Sequence, residues 1–263
     1  MKQLKIVHHQ KIAYKTYKII LQGSLVKKFH QAGQFLNIKL PNSSMLLMRP
    51  ISLADIDKIH NTCTLIYTVV GNGTKLLSTL PTDHKLEILG PLGKGFNIDF
   101  IKERDTVLLI GGSVGVAPLY ELAKQIIQNQ ASVIEIFGYR TAKNIFYTKE
   151  FEQLNILDIN KKSKLFISTD NGSSGKKGTV DNLIDDILPQ IEPSAIYACG
   201  SRPMLKHIQK RFANYENAYI SVDARMACGI GACYGCVLPT YDTIWNKKVC
   251  TDGPVFKTNE ILL

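Results

Sequence analysis

Four of the six cysteines, Cys228, Cys233, Cys236 and Cys250, fall within 23 residues near the C-terminal end of this 263-residue chain. The first three follow a C-x4-C-x2-C spacing, and the fourth comes after thirteen intervening residues. That pattern suits a [2Fe–2S] centre. Two irons need four thiolates in one small volume; a tight loop supplies three and a distant fourth closes the cage. Gly229, Gly231 and Gly235 would let the backbone curl around an inorganic core and turn N–H groups toward its sulfides. Structural zinc is the competing reading, but zinc ribbons usually present two C-x2-C pairs and only one is here. A disulfide framework fits poorly, because the chain is long and its cysteines are massed at one end.

Two further constellations precede the cysteines. Arg49-Pro50-Ile51-Ser52 sits at the end of a strand. Its arginine is a planar, permanent donor suited to a pyrophosphate, its proline fixes φ, and its serine hydroxyl can reach a ring nitrogen. Tyr67-Thr68 leads into Gly71-Asn72-Gly73-Thr74 and a helix start, where backbone N–H groups can meet phosphate. By itself the glycine loop reads better as a hairpin turn. In this order the two segments point to a flavin. Then Gly111-Gly112-Ser113-Val114-Gly115-Val116-Ala117-Pro118 follows a strand and opens a helix, the setting of a dinucleotide-phosphate turn, although the G-x-G-x-x-G fingerprint itself is absent. Cys199-Gly200 ends another strand, in the crevice where parallel sheets bind ligands. A small core cysteine is the plainer reading of Cys199; its glycine neighbour and Pro203-Met204 raise the alternative of a place facing nicotinamide.

The elements that must position these residues change texture twice. Residues 1–100 carry short alternating or β-branched segments at 4–8, 17–21, 35–40, 64–70 and 85–89. Gly33, Pro41-Asn42, Gly71-Asn72-Gly73 and Gly90-Pro91 separate them, which predicts a small antiparallel barrel. Residues 101–223 alternate buried-type strands (106–110, 133–137, 164–168, 195–199, 219–222) with helical stretches (116–128, 180–188, 203–213), which predicts a doubly wound parallel sheet. Residues 224–263 form a cysteine-bearing tail too short for a core of its own.

Composition narrows the function classes. Hydrophobic residues make up 45% and charged residues 21%, as in ordinary globular chains, and no apolar run is long enough to cross a bilayer. The N-terminal segment interleaves its apolar residues with Lys, His and Gln, so the expectation is a cytoplasmic protein without a secretory signal or membrane span. Net charge is +10, but the lysines are scattered in ones and twos, with no concentrated basic face. Nucleic-acid binding is therefore not expected, and an acidic partner or anionic cofactors fit better. None of the six histidines sits in a recognisable catalytic setting, and no residue is assigned acid–base chemistry.

Taken together, RPIS at 49–52, GNGT at 71–74, GPLGKGF at 90–96, GGSVGVAPL at 111–119, ACGSRPM at 198–204 and the cysteine tail at 228–250 resemble the ferredoxin–NADP reductase superfamily. Within it, the chain looks like the family of electron-transfer subunits of NAD-dependent dihydroorotate dehydrogenases, end to end. The resemblance implies an FAD-binding barrel (1–100), an NAD-binding α/β domain (101–223) and a [2Fe–2S] segment (224–263). It implies FAD contacts from Arg49, Pro50, Ile51, Ser52, Ile66, Tyr67, Thr68, Gly73 and Thr74. Gly111, Gly112, Gly115, Cys199 and Gly200 would serve NAD, and the four tail cysteines the cluster. The implied partner is an FMN-containing catalytic subunit, in a heterotetramer of two copies of each chain. The family's glycine turn more often carries a third glycine where Ser113 stands. Arg140, just after a strand, could meet a 2′-phosphate or face solvent; NADH over NADPH follows from the resemblance only. A reductase subunit for another acceptor, of sulfide or hydrogenase type, is the alternative. Oxygenase reductases carry a whole ferredoxin domain, about twice this tail.

Overall fold

A computed structural model describes residues 1–41, 45–241 and 245–263. Asn42 of the expected Pro41-Asn42 turn lies outside them. The N-terminal strands are β1 (Lys2–Ala13), β2 (Thr16–Gln22), β3 (Phe35–Lys39), β4 (Arg49–Asp57) and β5 (Thr62–Thr68). A short helix α1 (Asn72–Leu77) and strand β6 (Lys85–Leu92) follow. The six strands close a barrel in the order β1-β2-β5-β4-β3-β6, every pairing antiparallel. Alternation does the work: Leu4 and Ile6, Ile19 and Leu21, Leu36 and Ile38, Leu86 and Ile88 all point into one core. The RPIS tetrapeptide opens β4 rather than ending a strand.

The second half runs β7 (Thr106–Gly112), α2 (Ala117–Gln128), β8 (Ser132–Tyr139), α3 (Thr148–Asn155), β9 (Lys164–Thr169), β10 (Lys176–Lys177), α4 (Val180–Ile187), β11 (Ala195–Cys199), α5 (Arg202–Arg211) and β12 (Ala218–Ser221). These strands are parallel and ordered β10-β9-β8-β7-β11-β12. The central ones are buried runs, as parallel strands covered on both faces must be. Side chains from α2 and α3 pack on one face with Leu109, Val133 and Phe137. Those from α4 and α5 pack on the other with Leu108, Ile134 and Ile196. The order reverses between β7 and β11, the crevice where such sheets take ligands.

The tail adds β13 (Val237–Leu238), β14 (Lys247–Lys248) and β15 (Val255–Lys257). β13 and β14 form a small hairpin. β15 joins the large sheet as its antiparallel edge beside β12. Leu238, Val249, Phe256 and Ile261 enter the core under α4 and α5, so the tail borrows that core.

Candidate functional site

The four tail thiols fall into two pairs. Cys228 and Cys233 are within hydrogen-bond reach of each other, as are Cys236 and Cys250. The backbone ties each pair: Cys233 N–H donates to Cys228 Sγ and Cys250 N–H to Cys236 Sγ, both at 3.4 Å. Ile230 N–H also donates to Cys228 Sγ, and Gly235 N–H to Cys233 Sγ. Among the described residues, no three His, Cys, Asp or Glu side chains converge as they would on a single metal ion. Two thiol pairs match a two-iron core instead, since each iron of a [2Fe–2S] unit takes two protein ligands. The N–H donors stabilise negative sulfur: the Ile230 amide and then Cys233 bring Cys228 down to about 6. Burial and the adjacent Cys236 push Cys250 up to about 11. Cys236 and Cys250 are buried, Cys228 is half-buried and Cys233 is exposed. Gly229 and Gly231 are left-handed, at φ +71° and +82°. Gly235 is not; Tyr234 makes that bend, at φ +54°. Gly235 therefore contributes its N–H and not a special conformation. Asn37, fully buried with both amide atoms unpartnered, lies against Gly229.

The flavin-type residues meet in one crevice of about 250 Å³ between barrel and sheet. Pro50, Ile51, Ser52, Ile66, Tyr67, Thr68 and Thr74 line one wall, and Val114, Gly115, Ala117, Pro118 and Cys199 the other. Arg49 borders the next cavity, about 720 Å³, with Pro50, Asn72 and Arg225 of the tail. A Cβ on Gly73 would sit 2.2 Å from Arg49 Nε, so the glycine loop and the arginine already touch. The Thr74 hydroxyl is spent on its own turn, accepting from Val70 N–H (3.0 Å) and Gly71 N–H (3.2 Å).

The glycine turn after β7 and the Cys199-Gly200 turn after β11 lie side by side at the switch point, with Gly111 opposite Cys199. A Cβ on Gly115 would be 2.4 Å from the Cys199 carbonyl oxygen, and Gly112 and Gly200 both make room for the Met204 sulfur. Gly111 instead serves packing, against Val116 and Phe137. Ser113 takes the left-handed conformation, φ +51°, which explains a glycine preference at that position. Burial raises the Cys199 thiol pKa, and the Asp223 charge adds to this. A second crevice, about 500 Å³, runs past the ends of β7, β8 and β9, and Gly112, Ser113, Arg140, Asp170, Asp181 and Met204 line it. Arg140 thus faces a groove containing two carboxylates as well as solvent.

Two residues at the site went unread in the sequence. His9 Nε2 lies 2.8 Å from the Tyr67 hydroxyl, and His9 Nδ1 is 2.8 Å from the Leu80 carbonyl oxygen. Since a carbonyl only accepts, Nδ1 donates to Leu80, and Nε2 pairs with the Tyr67 hydroxyl. Asp223 lines the flavin-side crevice with Ser52 and Cys199, and burial pushes its carboxyl upward. Both depend on contacts between distant segments, and neither has a motif.

A barrel with a flavin-type arginine strand, a doubly wound sheet with a glycine turn and a thiolate tail define a reductase of the ferredoxin–NADP reductase type. Residues 223–262 match the family described as the iron-sulfur cluster binding domain of dihydroorotate dehydrogenase B, and residues 109–210 the oxidoreductase NAD-binding domain. The electron transfer subunit of dihydroorotate dehydrogenase B (NAD(+)) from Enterococcus faecalis is 41% identical, over 99% of this chain and 97% of its own length. That of Streptococcus pneumoniae strain R6 is 38% identical over 100% and 99%. The chain belongs to this family of electron transfer subunits. Among solved structures, an NADH-dependent reduced ferredoxin-NADP oxidoreductase linked to flavin-based electron bifurcation superposes with a TM-score of 0.85 and 27% identity. It covers 100% of this chain and 90% of the other. Ferredoxin-NADP+ reductase from Plasmodium falciparum, at 12% identity and a TM-score of 0.67, shares the fold over 83% of this chain and 95% of its own.

Proposed function

We propose that the chain relays electrons from an FMN-containing catalytic subunit, which oxidises dihydroorotate to orotate in pyrimidine biosynthesis, to NAD+, in a cytoplasmic heterotetramer of two copies of each subunit. The observation that carries this is the convergence of three parts: the flavin strand β4, the glycine turn before α2 and the cysteine tail meet around Pro50. FAD, when bound, supplies the exchange between a hydride at nicotinamide and single electrons at the cluster. The chain's residues bind and orient. Arg49 is set for the pyrophosphate, with Gly73 leaving it room and Thr74 holding the loop. Pro50, Ile51, Ser52, Ile66, Tyr67 and Thr68 form the wall for the flavin ring, Tyr67 being fixed by His9. Gly111, Gly112, Gly115, Cys199 and Gly200 keep the opposite wall open for nicotinamide. Cys228, Cys233, Cys236 and Cys250 hold the cluster. Among the described residues, no helix is long and apolar enough to cross a membrane.

The partner's approach is read from the surface around the outer thiols. Ile230 and Tyr234 are large side chains left in solvent beside Cys228 and Cys233, and Lys248 Nζ covers the Tyr234 ring at 4.1 Å. Aromatic residues of this kind anchor interfaces. The test is to combine the chain with its cognate FMN subunit and follow dihydroorotate-driven NAD+ reduction. Activity is expected with the wild type and none with Cys228→Ser or Cys250→Ser. No activity with any preparation carrying all three cofactors refutes the function, and full activity in cluster-free variants refutes the order of the relay.

A further inference from the structure

The strand that carries the flavin wall and the helix that carries the nicotinamide turn are joined by a polar clamp. Beyond Ser52, β4 loses its neighbour β3, because the last β3–β4 pair is Phe35 with Ser52. Its register with β5 also slips between Leu53 and Asp55. The free edge at Ile56 is capped by side chains of α2 in place of a strand. Ile56 N–H donates to Glu121 Oε2 at 2.9 Å, and Lys124 Nζ donates to the Ile56 carbonyl oxygen at 3.0 Å. Lys124 also pairs with Glu121 at 2.5 Å and with Asp55. Gln125 Nε2 donates to Glu121 Oε1 at 2.8 Å, which leaves Glu121, only 3% exposed, fully engaged. The β4 residue Ala54 packs into the same core as Leu122 and Ile126.

This arrangement has a direct geometric consequence. Glu121 is about one helical turn beyond Ala117 and Pro118, which line the flavin-side crevice. Ile56 is four residues beyond Ser52, which lines the same crevice from the other wall. The clamp therefore sits one rigid step behind each wall. We infer that Glu121, Lys124 and Asp55 are positioning residues that set the separation of the flavin wall from the nicotinamide wall, and so the rate at which hydride crosses between them. In the direction that the assay uses, reduced nicotinamide loses a hydride, two electrons and one proton, to oxidised flavin. This rests on the FAD and NAD sites proposed above.

The experiment uses the full-length chain loaded with FAD and cluster, reduced anaerobically by NADH in a stopped-flow instrument. Glu121→Leu and Lys124→Met are expected to lower the limiting rate of flavin reduction by about 10- to 100-fold, as sub-ångström to ångström misplacement does. Dissociation constants for FAD and NAD+ should stay within about threefold, since uniform binding is untouched. The long-wavelength charge-transfer absorbance between reduced flavin and NAD+ should weaken in the same variants. Glu121→Gln, which keeps an acceptor for Ile56 N–H, should restore most of the rate. Without cofactors, hydrogen exchange at the Ile56 amide should accelerate in Glu121→Leu. A rate within twofold of wild type at saturating NADH in Lys124→Met, or a loss seen only as weaker binding, overturns the inference. If Glu121→Leu does not fold, Lys124→Met and Asp55→Asn, at the edge of the network, decide alone. A wild-type chain that takes up no FAD refutes the function proposal instead, and the exchange measurement still judges the clamp.

Discussion

Replacing Gly115 with alanine probes the switch point directly. The new Cβ would stand 2.4 Å from the Cys199 carbonyl oxygen, 2.5 Å from its carbonyl carbon and 2.6 Å from Gly200 N. All three are backbone atoms of the neighbouring turn, so no side chain can swing aside. Relief to ordinary contact, 3.4 Å, requires the two turns to part by about 1 Å. Overpacking of this kind costs about 1–3 kcal/mol, and a chain of this size loses about 2–4 °C of melting temperature per kcal/mol. The functional effect should be larger, because a displacement of about 1 Å at a reacting centre can cost about 100-fold in rate. FAD uptake should be unchanged, since Arg49 and the barrel strands are untouched. Thermal melting, flavin titration and NADH-driven flavin reduction on Gly115→Ala measure the three. A variant that melts with wild type and reduces its flavin at the wild-type rate would refute the close approach at the switch point.

Two further outcomes test other parts of the fold. Gly229→Ala should lower cluster content severely, because the position is left-handed and its Cβ would lie 2.2 Å from Asn37 Nδ2. Gly235→Ala should load normally, since its Cβ meets only Cys233 Sγ at 3.5 Å; iron analysis and visible absorbance compare them, and equal loading would sink the distinction. Glu135 is held protonated in the fold by burial, well above its ordinary value of 4.5, with only Asn155 donating to it. The folded chain therefore keeps a proton that the unfolded chain sheds above about 4.5, and this group's contribution to stability falls as pH rises, by about 1.4 kcal/mol per pH unit, until its folded pKa is passed. Glu135→Gln should remove that component, so its melting temperature falls less than wild type's from acid to neutral pH; identical slopes would refute it.

What the sequence disclosed, and what it hid, divide by range. The barrel strands with unbroken alternation, such as Ile19 and Leu21 of β2, were legible from a two-residue period. The course of β4 beyond Ser52 was not, because the slip at Ala54 breaks its alternation. α3 escaped because only Phe151 and Leu154 are buried in an otherwise polar octapeptide. β15 is three residues long and exists only by pairing with β12, more than thirty residues earlier. The cysteines, the arginine strand and the glycine turns announced themselves by local spacing. His9, Asp223 and Glu121 did not, since each acquires its role by touching a residue far along the chain, as His9 does Tyr67, 58 positions away.

The two thiol pairs differ in what holds them, and this bears on how a relay could run. Cys236 and Cys250 sit in the core beside Val249, Leu238 and Phe256. That core is pinned to the sheet by β15, by Gln209 Nε2 donating to the Thr258 and Ile261 carbonyl oxygens, and by Val222 N–H donating to Pro254. Cys228 and Cys233 hang on a glycine loop at the surface, braced mainly by backbone N–H groups. The inner pair is thus preorganised by the fold, while the outer pair is held only by its own loop. The outer pair is the more exposed of the two, and the inner pair would fix a bound cluster against the core. A cluster held by these four thiolates would have its outer ligands toward solvent, where a partner could reach them, and its inner ligands anchored in the chain's own core.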